Sequence, residues 1–207
     1  MLTRILPTGD PQALEAALQT LRSGGLVVFP TDTLYGLGCD PTNPNALQAI
    51  YAAKNRPTLK AIPVLIGESS QLSGLVTALP PQAERLIHRY WPGPLTLILP
   101  KNPSLPPDLT PYPGLAVRMP DHPFARTLLK AFGPLAVTSA NISERENPQD
   151  AGEVRAQLDG RVDIILDGGR LRGGTASTII DGTGAELKLL REGPIAFADV
   201  LALWAAE

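Results

Sequence analysis

Four segments place hydroxyls, amides and cations at the ends of apolar runs, where side chains can meet a ligand. In Pro30-Thr31-Asp32-Thr33-Leu34-Tyr35-Gly36-Leu37-Gly38, hydroxyls and two glycines follow the apolar run Leu26 to Phe29. Glycine lets a ligand approach the backbone, so the segment suits a ligand-facing loop; a hydroxyl-rich turn satisfying its own amides would use the same residues. Lys54-Asn55-Arg56-Pro57, with Lys60 close by, gathers three cations within seven residues. Such a group can clamp a polyphosphate, or cap a helix end in solvent. Arg118 closes the run Leu115-Ala116-Val117 and is costly to bury without an anion, whether a ligand carboxylate or an internal Asp or Glu. Thr138-Ser139-Ala140-Asn141 follows Leu135-Ala136-Val137, and its small polar groups can reach phosphate or ribose, or cap a helix.

Other chemistries find no foothold. The pairs Gly168-Gly169 and Gly173-Gly174 lack the Lys-Ser/Thr context of a phosphate-binding loop, and no dinucleotide fingerprint follows the first strand. His88 and His122 lie far apart and outside any metal-ligand spacing; His88 is expected on a helix surface, and no metal site is expected. Nothing supports a Ser-His-Asp or Cys-His hydrolase. The one cysteine, Cys39, cannot form an intramolecular disulfide, which fits a reducing compartment.

These segments must be positioned by many short elements. Asp10-Pro11 and Asn43-Pro44 read as helix starts, an Asx cap followed by proline. Helical spacing of Leu14, Ala17, Leu18 and Leu21 predicts the first helix, ended by Gly24 or Gly25; the second runs to about Lys54. Pro81 to Tyr90, Pro123 to Phe132, Ala151 to Leu158 and Phe197 to Trp204 are further predicted helices. Leu26 to Phe29, Ile62 to Ile66, Leu95 to Leu99, Ala116 to Arg118, Leu135 to Thr138, Val162 to Leu166, Thr178 to Ile180 and Leu187 to Leu190 read as strands. Helices and strands alternate, yet some consecutive strands lack a helix between them, which predicts an α/β fold with a twisted, mixed parallel and antiparallel sheet. Residues 1–207 are expected to form one domain, with Pro100 to Gly114 and Glu144 to Asp150 as mobile edges.

A net charge of −2 gives no global field toward nucleic acid or membrane, so a basic site must be local. A hydrophobic content of 43% with 18% charged residues excludes wholesale disorder. No stretch approaches the roughly 20 apolar residues of a membrane-spanning helix, and a cytoplasmic location is expected.

Taken in order, PTDTLYGLG (Pro30 to Gly38), KNRP (Lys54 to Pro57), WPGPLTLIL (Trp91 to Leu99), AVRMPDHP (Ala116 to Pro123), TSANIS (Thr138 to Ser143), STIID (Ser177 to Asp181) and Arg191 in LLREGP resemble the YrdC-like family. Its best-known members are threonylcarbamoyl-AMP synthases, which join L-threonine, bicarbonate and ATP and release pyrophosphate; other proteins then pass the threonylcarbamoyl group to a tRNA adenosine beside the anticodon. The resemblance implies a twisted mixed sheet with a large concave, locally basic cavity. It assigns Lys54, Arg56, Asn141 and Arg191, with Lys60 beside them, to the ATP phosphates. Thr33, Arg118, Ser139 and Ser177 are assigned to the threonine pocket, Arg118 taking the carboxylate. Magnesium would accompany ATP, and electrostatics from Lys54 and Arg56, with no side-chain nucleophile, would carry catalysis.

The sequence departs from the family pattern at Glu144, commonly glycine, at Lys60, commonly a polar amide, and at Leu65, histidine in some relatives. It resembles the short, single-domain form. Rival readings are an RNA-binding module for double-stranded RNA or tRNA, a different carbamoyl or acyl adenylation, and a divergent paralogue without synthase activity.

Overall fold

The computed structural model describes residues 2–57, 60–171, 174–184 and 186–206. Alternation along short strands organises them. In β5 (Leu95–Pro100), Leu95, Leu97 and Leu99 are buried in one core while Thr96 points to the opposite face. β6 (Gly114–Arg118) does the same, sending Leu115 and Val117 inward and Arg118 outward. β9 (Thr178–Asp181) buries Ile180 in that core and turns Ile179 away. A period of two places residues of one strand on opposite faces, so each apolar run carries one core face and one working face.

The remaining strands are β1 (Arg4–Pro7), β2 (Val27–Pro30), β3 (Tyr35–Cys39), β4 (Val64–Leu65), β7 (Leu135–Ser139), β8 (Ile164–Asp167) and β10 (Lys188–Arg191). They form a ten-stranded sheet in the order β1-β8-β2-β3-β7-β4-β6-β5-β9-β10. Pairing is parallel for β1 with β8, β2 with β8, β4 with β6 and β5 with β9, and antiparallel elsewhere, which is the mixed sheet expected.

Helices flank both faces. α2 (Pro44–Lys54), α3 (Pro81–Tyr90), α5 (Ala151–Leu158) and α6 (Phe197–Ala205) pack on the larger core. α1 (Ala13–Arg22) and α4 (Pro123–Phe132) pack on a second core with β2, β7 and β8, through Ala17, Leu21, Leu128, Val27, Leu135 and Ile164. That second layer covers only part of its face. Beyond Leu65 and Val137 the β6-β5-β9 surface lines an open cavity.

Several predicted boundaries shift for physical reasons. Asp10 caps a turn, its Oδ1 accepting from Gln12 N at 2.8 Å, and the helix begins only at Ala13. Asn43 behaves as expected, accepting from the amides of Asn45 and Ala46 ahead of Pro44. The Pro30 to Gly38 segment is a loop only over residues 31–34. Tyr35–Cys39 pairs with β2 and β7, and its glycines serve packing, because a Cβ on Gly36 would lie 2.7 Å from Val137 Cγ1. Within Ile62 to Ile66 only Val64 and Leu65 pair as a strand. Pro100 to Gly114 is anchored, with Leu109 fully buried, a 3₁₀ turn over Pro107–Leu109, and Ile62 N donating to Leu109 O at 2.9 Å. No helix among the described residues is long and apolar enough to cross a membrane.

Candidate functional site

The working face assembles through register. Leu65 pairs with Arg118, Gly36 with Ser139, and Thr96 with Ile179, so residues from these six strands, joined by Arg191 of β10, line one side of the sheet. They bound a cavity of about 290 Å³. Its polar lining comprises the hydroxyls of Thr31, Thr33, Thr96, Thr138, Ser139 and Ser177, the amide of Asn147, and the guanidinium groups of Arg56, Arg118 and Arg191. Leu65, Val137 and Ile179 supply apolar wall.

The 31–34 loop is stiffened from within. Thr31 Oγ1 accepts from the amides of Thr33 and Leu34 and donates to Leu34 O at 2.6 Å, the hydroxyl turn foreseen as one use of these residues. The loop delivers Thr33 and Asp32 to Arg118, which is only 5% exposed. Arg118 Nε donates to Gly93 O at 2.9 Å, Nη1 to Thr33 Oγ1 at 2.7 Å, and Nη2 to Asp32 Oδ1. Of its five N–H donors, two are left for a ligand. Burial lowers the Arg118 pKa, and the Asp32 carboxylate opposes that shift. The buried guanidinium therefore has the internal acid that the sequence left open, and Asp32 is a member of the site that sequence reasoning did not single out.

At the other wall, α2 ends at Lys54, followed by Asn55 in the left-handed region at φ 51°. The turn buries Lys54 to 1% exposure and sends Nζ to the carbonyl oxygens of Ser139 and Asn141 and to Asn141 Oδ1. Three donors meet three acceptors, so Lys54 clips the 139–141 turn behind the cavity and does not line it. Burial, then the neighbouring Arg56, brings its pKa down to about 7. Ser139 Oγ donates to Asn141 Oδ1 at 2.6 Å, and Asn141 Nδ2 donates to Arg145 O at 2.6 Å, so Asn141 too is engaged internally.

Arg56 faces the cavity. It donates to Ala61 O at 2.9 Å and to Thr138 Oγ1 at 3.4 Å, its Nε is buried without a partner, and among the described residues it has no acidic partner. An under-satisfied, partly desolvated guanidinium of this kind has the chemistry to take an anion. Arg191 crosses from β10 to Ser177, Nε donating to its carbonyl at 2.9 Å and Nη2 to its hydroxyl at 3.0 Å. Burial and then the nearby Arg118 lower the Arg191 pKa. Lys60 lies outside the lining, exposed, with Nζ 4.0 Å from Glu144.

Structure thus gathers Thr33, Arg56, Arg118, Ser139, Ser177 and Arg191 around one cavity, with Lys54 and Asn141 directly behind Ser139 and Lys60 apart. Thr31, Asp32, Thr96 and Asn147 were not singled out. For Thr96 a signal existed, since one threonine in Leu95-Thr96-Leu97-Ile98-Leu99 opposes three core leucines. Among the described residues no cluster of His, Cys, Asp or Glu could hold a metal. Cys39 is buried, and its thiol is pushed up to about 12, chiefly by burial.

A mixed α/β sheet whose uncovered face carries three guanidiniums among hydroxyls has the chemistry to receive small anionic molecules. The Sua5/YciO/YrdC family model, described as "Telomere recombination", matches residues 19–193, and the chain belongs to that family. A Mycobacterium tuberculosis protein is 40% identical over 213 residues, covering 99% of this chain and 98% of its own. The threonylcarbamoyl-AMP synthase of Bacillus subtilis is 43% identical over 197 residues, covering 94% of this chain and 57% of that protein. The crystal structure of P. abyssi Sua5 complexed with L-threonine superposes with a TM-score of 0.90 at 37% identity, covering 98% of this chain and 60% of that one.

Proposed function

We propose that this chain makes threonylcarbamoyl-AMP and pyrophosphate from L-threonine, bicarbonate and ATP, supplying the group used to modify tRNA adenosine beside the anticodon. The observation that carries the reading is one cavity with Arg56, Arg118 and Arg191 in its wall and no carboxylate among its described lining residues. Such a wall suits substrates that present anionic groups, as a triphosphate, bicarbonate and the carboxylate of an amino acid do. Relatives named threonylcarbamoyl-AMP synthase, and a Sua5 structure holding L-threonine, support it.

In this reading the two free donors of Arg118 take the threonine carboxylate beside Thr33. The threonine amine and bicarbonate give a carbamate and water, and the carbamate oxygen attacks the α-phosphorus of ATP. The new P–O bond forms as the bond to pyrophosphate breaks. Arg56 and Arg191 offset the growing phosphate charge, with the Lys54 ammonium contributing from behind the 139–141 turn. Asn141 acts by shaping that turn, and Lys60 adds charge at the periphery. Magnesium fits as the companion of the triphosphate: the lining offers it hydroxyls, and the phosphates its charged ligands. Positioning and electrostatics carry the step without a side-chain nucleophile.

One sheet joining strands from residue 4 to residue 191 supports treating the chain as a single domain. A cytoplasmic site of action, and handover to threonylcarbamoyl-transfer proteins or tRNA itself, belong to the same proposal. A cavity of about 290 Å³ suits a small molecule better than duplex RNA. The decisive assay is pyrophosphate release with magnesium and ATP, adding threonine and bicarbonate separately and together. Release that requires both is expected. Release with neither, or none at all while RNA binds tightly, moves the chain to the RNA-binding or divergent-paralogue reading.

A further inference from the structure

Thr96 on β5 and Ser177 just before β9 are 3% and 4% exposed, and both line the cavity. Their hydroxyl oxygens are 2.8 Å apart, and Ser177 Oγ also accepts from Arg191 Nη2 at 3.0 Å. Among the described residues neither hydroxyl has any other partner. The pair owns two protons and uses one between its own oxygens, so one O–H remains to be satisfied. Buried donors are almost always paired, and here the open direction is the cavity.

We infer that Thr96 is a positioning residue for the threonine substrate, acting through Ser177 to aim one O–H at an anionic oxygen of the threonine moiety. When Thr96 donates to Ser177, the oxygen of Ser177 has both acceptor sites filled, by Thr96 and by Arg191. Ser177 is then a donor only, turned toward the ligand and polarised by the cation behind it. Without the Thr96 hydroxyl, Ser177 keeps its proton but loses its orientation and regains an open lone pair that repels an anion. The alternation that buries Leu95 and Leu97 leaves Thr96 on the only face where it can do this.

The inference rests on the proposed function, and the test separates the two. L-Threonine is titrated calorimetrically into the wild-type chain and into Thr96→Val, Thr96→Ser, Ser177→Ala and the Thr96→Val/Ser177→Ala double variant, each with a thermal unfolding curve. Thr96→Val keeps the side-chain shape and should weaken threonine binding about tenfold or more, the scale of one hydrogen bond to a charged group. Thr96→Ser should stay within about threefold of wild type, and the double variant should bind no more weakly than Ser177→Ala alone. If Thr96→Val does not fold, Thr96→Ala removes the same hydroxyl. Wild-type binding by the folded Val or Ala variant, failure of Thr96→Ser to restore binding, or additive losses in the double variant would each overturn the inference alone. A folded wild-type chain that binds no threonine overturns the proposed function and this inference with it.

Discussion

At the scale of single residues, the site is a set of charges held under unequal constraint. Arg118 is buried against Asp32, Arg56 faces the cavity with no acid paired to it among the described residues, and Lys54 is sealed behind a turn. Lys54 is the one whose charge changes near neutrality. Its pKa in the folded chain, about 7, lies below the ordinary 10.5, so the ammonium is present below pH 7 and fades as pH rises through that value. ATP binding that uses this charge should therefore weaken above pH 7, by on the order of tenfold across the titration. Calorimetric ATP affinities at saturating magnesium, compared with those of Lys54→Met, give the measurement; parallel profiles for the two proteins would remove Lys54 from nucleotide binding. The same shift has a stability counterpart. Between pH 7 and 10.5 the unfolded chain binds the extra proton, so Lys54 makes stability rise with pH over that window.

At the scale of elements, turns set what each strand end can offer. The turn that leaves β7 at Ser139, its last residue, carries Asn141 and then reaches Glu144, whose φ of 70° lies in the left-handed region. Side chains with a Cβ pay roughly 1–2 kcal/mol there, which gives a physical reason for glycine at this point of the family pattern. Among the described residues Glu144 recovers only an exposed ion pair with Lys60 at 4.0 Å, worth little in water. Glu144→Gly should therefore stabilise the chain by about 1 kcal/mol, raising the melting temperature by roughly 2–4 °C. A lower melting temperature for the glycine variant would show that the ion pair, or a contact it organises, outweighs backbone strain.

At the scale of the whole molecule, helices cover one face of the sheet and only part of the other, and the uncovered part is the cavity. A charged hollow in a fold costs stability when empty and returns it when an anion enters. Ligands that bind only the folded chain should raise its melting temperature together. At about 100-fold excess over Kd, MgATP should contribute about 2.7 kcal/mol, or roughly 5–10 °C for a chain of this size. Differential scanning fluorimetry with MgATP, with threonine and with both checks this; no shift with either would show that the cavity does not hold these substrates.

The sequence by itself determined the local elements and the identity of most polar groups in the wall. Asn43-Pro44, Pro81, Pro123 and Asp150 start their helices because caps and proline act on immediate neighbours. Alternation in β5 and β6 set which residues could face a ligand. β1 is not legible in the sequence because its four residues form a strand only when β8, some 160 positions away in sequence, pairs with them. Residues 35–39 look like a loop in the sequence because the glycines of β3 reflect how closely Val137 packs, a neighbour about a hundred residues on. Tertiary structure alone decided that Asp32 meets Arg118, that Lys54 turns behind Ser139, and that the Thr96 and Ser177 hydroxyls hydrogen-bond one another. These pairings depend on strand order and register, which come from burying both cores at once, and no local propensity along the chain encodes them.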